Sequence, residues 1–223
     1  PCADWSISMA MVSDFVPYIV SNTGEVTEVQ MQHLIRMAVA SFMTDTRIAQ
    51  DELYVNLGCK EQDFLLDLPE CQRLVGVMDV WEAPSNGSPL LDENTWSKLT
   101  PAGMARGRGD SVYKVNKVGR NPNKSVILDT TSTKQRRFCV IYSWKVASAA
   151  CEIPDFILDD WVDAVIYRTM VYLHASLDFE GRSIWDADRA MAMYNYEVAR
   201  AKTALRADYT RAVIRLKTPR NFY

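Results

Sequence analysis

Three aspartates crowd the start of one predicted helix: Asp159, Asp160 and Asp163. Carboxylates so close can hold a divalent cation or divide general acid and base work between them. No histidine or further ligand stands near them in sequence, and acids are favoured at a helix start by the macrodipole alone. They are read as a solvated helix start. His33 and His174 fall on different predicted helices without ligand-spaced company and are read as surface or core-edge residues. The cysteines, Cys2, Cys59, Cys71, Cys139 and Cys151, are odd in number and include no C-x-x-C pair, which predicts reduced, buried structural thiols in a cytosol. Gly103-Met104-Ala105-Arg106-Gly107-Arg108-Gly109-Asp110 is Gly-rich and basic but lacks the Gly-Lys-Ser/Thr ending of a phosphate loop. It is read as a loop tip, with contact to a phosphate backbone as the alternative. Neither Arg108-Gly109-Asp110 nor the sequon Asn123-Lys124-Ser125 carries information without secretion. The chain is therefore expected to be no enzyme and to use no cofactor and no metal.

The elements around these residues follow from periodicity. Residues 5–20 predict a short helix or helix-turn limited by Pro17, and Ser21-Asn22-Thr23-Gly24 a turn. Thr27-x-x-Gln30 is a capping box, opening a helix to about Ile48 whose buried stripe is Met31, Leu34, Ile35, Ala38 and Phe42. Six β-favouring runs follow, at 53–57, 64–68, 74–81, 112–118, 125–128 and 138–144, which predicts a small antiparallel sandwich or barrel. The connection 83–110 is longer than compact domains usually carry, so a functional or protruding loop is expected. Helical periodicity returns at Pro154, a good first helical residue. Leu158, Val162, Val165, Ile166, Thr169 and Leu173 form its stripe, with Trp161, Met170 and Tyr172 beside it or opposite. After Glu180-Gly181-Arg182, a long Ala-rich helix from about Asp186 to Val213 carries Ala187, Met191, Tyr194, Val198, Ala201, Leu205 and Ala212 at alternating spacings of four and three, close to a coiled-coil seam.

At 223 residues, 48% apolar and 24% charged, the chain can bury a real core and is not disordered in composition. No apolar run reaches the ~20 residues of a membrane span, and no signal peptide is predicted. The net charge of −3 is unevenly spread: residues 200–223 hold seven bases against one acid, so that end is +6 and the rest −9. Arg200, Lys202, Arg206 and Arg211 suit a helix C-terminus electrostatically. Arg215, Lys217 and Arg220 fall around or past the predicted helix end, interleaved with Leu216, Phe222 and Tyr223, which points to a docking segment.

The order of these features resembles one family. Ser13-Asp14-Phe15-Val16-Pro17-Tyr18-Ile19-Val20, the capped helix ending Ala40-Ser41-Phe42-Met43-Thr44-Asp45-Thr46, then Phe64-Leu65-Leu66-Asp67-Leu68-Pro69, then Ile153-Pro154-Asp155-Phe156-Ile157-Leu158-Asp159-Asp160-Trp161-Val162-Asp163-Ala164-Val165, Ser183-Ile184-Trp185-Asp186 and an Ala/Arg-rich helix with Tyr194 and Ala199-Arg200 are similar to the head–tail adaptor proteins of tailed bacteriophages. These are also called head-completion or connector proteins, and tail tubular protein A is similar. Two features depart from that pattern: an aromatic often seen after the end of the first capped helix is missing, and 83–110 does not align.

The helical stripes at 31–42 and 158–173 each need a partner while 53–144 reads as strands, which predicts an α+β fold, an antiparallel helical bundle built from both chain ends with an inserted small antiparallel β-sandwich or barrel; the resemblance agrees. The implied division is 1–50 for the N-terminal helices, 51–151 for the β domain, 152–214 for a C-terminal helical hairpin and 215–223 for an extended docking tail. It implies a homo-oligomeric ring, normally of twelve copies, under the portal protein at the virion neck, assembled in the host cytoplasm. The partners implied are the portal, a downstream tail or nozzle protein, tail fibres, and non-specific DNA in the enclosed channel, with no membrane. Arg211, Arg215, Lys217, Arg220, Phe222 and Tyr223 are the portal-docking candidates, and Trp161, Tyr172 and Tyr194 the subunit-interface candidates. Two other classes stay open: a nucleic-acid-binding protein using the basic C-terminal helix as a phosphate footprint, and a hydrolase built on Asp159 and Asp160.

Overall fold

Thr27 starts the first long helix by local chemistry alone. Its extended backbone lets Oγ1 accept from the Gln30 amide at 3.4 Å, while the same hydroxyl donates to Gln30 Oε1 at 2.9 Å. The helix stops at Thr46 because Arg47 turns left-handed (φ 56°, ψ 34°) and its N–H closes on the Met43 carbonyl. The computed structural model describes residues 8–20, 26–84, 91–92, 94–102, 104, 112–117, 124–128, 134–175 and 187–216, with the backbone only for 20, 116–117, 124–125 and 208–216. The chain is α+β with antiparallel sheets. It divides into two units: Pro1–Ile48 with Val146–Tyr223, and Ala49–Lys145.

The first unit carries β1 (Met9–Met11), a 3₁₀ turn (Val12–Phe15), α1 (Val16–Val20) and α2 (Glu28–Thr46) from the N-terminal side. From the other side come β10 (Glu152–Pro154), α3 (Asp155–Ala175) and α4 (Ala187–Leu216). The helix or helix-turn expected over 5–20 is present at 12–20 and corrected at 9–11, while 5–7 lie outside the described residues. Residues 9–11 are a strand because their backbone pairs with 152–154, Met9 opposite Pro154 and Met11 opposite Glu152. Pro154 correspondingly ends a strand, and the helix begins one residue later at Asp155. Arg36 ties α2 to the segment before β10, its Nε donating to the Ala150 carbonyl at 2.8 Å. Met31, Ile35, Ala38, Val39, Phe42 and Met43 are buried on α2, close to the predicted stripe; Leu34 is only partly buried.

α3 is not one regular helix. Trp161 has non-helical dihedrals (φ −131°, ψ 18°), so two helical segments meet there. The buried residues are Ile157, Trp161, Ala164, Val165, Thr169, Met170 and Leu173. Of the predicted stripe Val165, Thr169 and Leu173 are buried and Leu158, Val162 and Ile166 only partly so; the bent helix, packed against α2 and α4, buries Ile157, Trp161, Ala164 and Met170 as well. α4 is helical through Leu216, so Arg215 and Leu216 continue the helix instead of opening an extended tail.

The second unit holds two four-stranded sheets. In the first, β2 (Gln50–Leu57), β9 (Arg136–Val146), β4 (Gln72–Glu82) and β5 (Ser97–Lys98) lie in that order; in the second, β3 (Asp63–Leu66), β8 (Lys124–Leu128), β7 (Val112–Lys117) and β6 (Thr100–Pro101). β2 runs antiparallel to β9 from Gln50 opposite Ser143 to Leu57 opposite Arg136, and β8 lies antiparallel to both β3 and β7. Side chains of the two sheets meet where Phe64 stacks on Phe138, centroids 6.3 Å apart. All six predicted strands are present. Part of the 83–110 connection is strand too, which the pattern did not predict. Trp96 and Leu99 are buried, the Leu99 amide bonds to the Val80 carbonyl at 2.8 Å, and β6 pairs in parallel with β7. These isolated apolar residues in a polar stretch draw its backbone onto both sheets.

Candidate functional site

Arg168 is the one Lys or Arg in α3, set among Val165, Ile166, Thr169 and Met170. Its guanidinium carbon lies 4.8 Å from the Tyr172 ring and 4.9 Å from the Tyr194 ring, so two aromatic faces of α3 and α4 enclose one cation. Its Nη1 approaches Met191 Sδ at 3.5 Å. Both phenols then reach α2. Tyr194 donates to Asp45 Oδ2 at 2.6 Å, and the Tyr172 and Ser41 hydroxyls lie 2.6 Å apart. Burial first, then the bond to the Asp45 carboxylate, pushes the Tyr194 phenol well above its ordinary range. One cation and two phenols thereby cross-link three helices.

A second group lies at the bend of α3. The Trp161 ring packs against Phe42 of α2 at 5.6 Å, and the Arg200 guanidinium of α4 covers it at 4.7 Å. Arg200 Nη2 also donates to the Asp160 carbonyl at 3.1 Å and meets Glu197 Oε2 at 2.8 Å. Glu197 is buried, and desolvation raises its carboxyl above the glutamate range; Arg200 opposes that shift and Asp163 adds to it.

All three interface candidates are therefore packed inside their own unit. Trp161 is 8% exposed and Tyr194 2%, and Tyr172 is partly covered with its hydroxyl bonded to Ser41. Trp161, read from the sequence as lying beside or opposite the main stripe, is buried against Phe42 of α2 and Arg200 of α4, and Tyr172 is half-buried with its hydroxyl at Ser41 of α2. Of the docking candidates, Arg211 and Arg215 lie on the α4 backbone, their side chains outside the described residues. Lys217, Arg220, Phe222 and Tyr223 also lie outside the described residues.

Asp159, Asp160 and Asp163 are exposed on α3. His33 is exposed and His174 partly buried. Among the described residues no three His, Cys, Asp or Glu side chains come together as a metal site. Among the described residues Cys59, Cys71 and Cys151 are exposed, against the expectation of buried thiols, and Cys139 is buried, its thiol pushed up to about 12 by desolvation and then by Glu52; Cys2 lies outside the described residues. Of Gly103–Asp110, only Met104 lies within the described residues. The sequence pattern does not mark Arg168, Asp45, Ser41, Glu197 or Arg200 for these contacts. A lone arginine inside an apolar helix was the available signal, since a cation there must find a partner. Comparison of the chain with protein-family models and with curated proteins gives no match.

Proposed function

We propose that this chain is a structural head-to-tail adaptor of a tailed bacteriophage: a ring under the portal that links the DNA-filled capsid to the tail and encloses the DNA exit channel. The observation that carries the reading is the packing of α2, from before the β region, against α3 and α4, from after it. It supports the order that the resemblance implies, helices from both chain ends as an antiparallel bundle with a β-sandwich or barrel inserted between them. The bundle is the ring body, and the basic C-terminal end is the portal-docking element. With Arg215 and Leu216 helical, docking begins from a helix that delivers Arg211 and Arg215, followed by Lys217, Arg220, Phe222 and Tyr223.

The purified chain, mixed with the portal ring of the virus that encodes it and weighed by native mass spectrometry, is expected to add about twelve copies per portal, as the resemblance implies. Deleting residues 217–223 is expected to abolish that addition while leaving thermal unfolding nearly unchanged. A chain that ignores the portal yet binds duplex DNA with a steep salt dependence would overturn the adaptor reading in favour of the nucleic-acid-binding one.

A further inference from the structure

The bend at Trp161 has no local cause. Sharp kinks come from proline, from Gly or Ser pairs, from π-bulges, or from a group inserted into the i→i−4 ladder. The segment Leu158-Asp159-Asp160-Trp161-Val162-Asp163-Ala164 contains no proline, glycine or serine. A group from outside the helix does meet the ladder. Arg200 of α4 donates to the Asp160 carbonyl at 3.1 Å, and in an uninterrupted helix that carbonyl serves the Ala164 amide. The same guanidinium lies over the Trp161 ring at 4.7 Å, and Glu197, one turn away on α4, holds it at 2.8 Å. Two contacts of one side chain thus meet α3 at the residue with non-helical dihedrals and at the carbonyl just before it.

We infer that the Trp161 bend is a latched hinge: Arg200 holds α3 in two segments, and withdrawal of Arg200 lets them realign as one continuous helix. The latch couples two elements. The Arg200 side chain is 48% exposed, so a group that competes for it can reach it. Any shift of α4 that carries residue 200 away changes the course of α3. The inference rests on this contact and not on the adaptor reading; it stands or falls in the isolated chain.

The test is amide hydrogen exchange on the full chain, resolved by residue, in wild type and Arg200→Gln. In wild type, the amides of Val162 to Val165, whose helical acceptors lie across the bend, are expected to exchange faster than those of Ile166 to Met170. In Arg200→Gln the amides of Val162 to Val165 should slow by at least about fivefold, what one recovered backbone hydrogen bond gives. Those of α2 should stay within about twofold. Unchanged or faster exchange at 162–165 in a folded variant would overturn the latch and leave Arg200 as an ordinary surface contact. Glu197→Gln keeps the side chain's shape but frees one side of Arg200. It covers the case in which Arg200→Gln does not fold, with a smaller slowing at the same four amides expected. If it slows none of them, the latch is likewise overturned.

Discussion

The two units place their charges differently. In the β unit, Phe64, Phe138, Trp81 and Trp96 fill the interior, and cations pair with acids across neighbouring strands. Lys98 lies over Trp81 at 5.4 Å and Arg136 over Phe138 at 5.2 Å, each also paired with an acid, Asp79 and Glu82. In the helical unit, charge is brought between the helices. Arg168 lies between two tyrosines, Tyr194 reaches Asp45, and Glu197 is buried beside Arg200. The reason is geometric. Backbone ladders set strand positions to within one residue, because a slip turns every side chain to the other face. Helices can slide and rotate on an apolar face, so directional contacts between side chains must set their register.

The largest effect should come from breaking the apolar logic. Phe138→Ala, at a side chain with no exposure, is expected to lose about 3–5 kcal/mol in urea unfolding, read from the aromatic signal of the β unit. If the loss is under about 1 kcal/mol, stacking between the sheets does not hold that unit together. Next in size is Tyr194→Phe, which keeps the ring against Arg168 but deletes the bond to the Asp45 carboxylate. About 1.5–3 kcal/mol should be lost. The same loss in an Asp45→Ala background would show that the phenol acts through some other partner.

Thr27→Ala provides a local control, since among the described residues its hydroxyl bonds within its own opening turn, to Gln30. About 1 kcal/mol should be lost, with exchange quickening first in the opening turn of α2. A loss spread over α3 and α4 would mean that the cap does more than start a helix. The smallest effect belongs to Glu197→Gln. A carboxyl raised by burial adds stability that is present below the ordinary glutamate range and lost as pH rises through its folded value. The variant should therefore gain on wild type between pH 4 and pH 7 in parallel thermal melts. An advantage that shrinks over that range would mean that Arg200 outweighs desolvation.

How much was legible in the sequence depended on how far apart the interacting residues stand. Thr27 and Gln30 are three residues apart, and the start of α2 was readable from them. The six main strands were readable because alternation and turn residues are local signals. The same reasoning failed at Met9–Met11, where local apolarity suggests helix but a partner some 140 residues away imposes a strand. It also failed at Ser97–Pro101, where two buried side chains in a polar stretch outweigh its loop composition. The stripe on α3 was drawn one-sided, since periodicity marks a face and cannot count the neighbours that will cover it.

By itself the sequence determined an α+β chain with a capped helix, a run of strands, a long Ala-rich helix and a basic end, because each rests on propensity, period or charge carried within a few residues. Only the tertiary structure decided that Trp161, Tyr172 and Tyr194 turn inward, that Arg168 lies between two rings, and that α3 bends where Arg200 meets it. Those outcomes depend on which helix lies beside which, a choice set by the free energy of the whole packed unit and by no single segment of it.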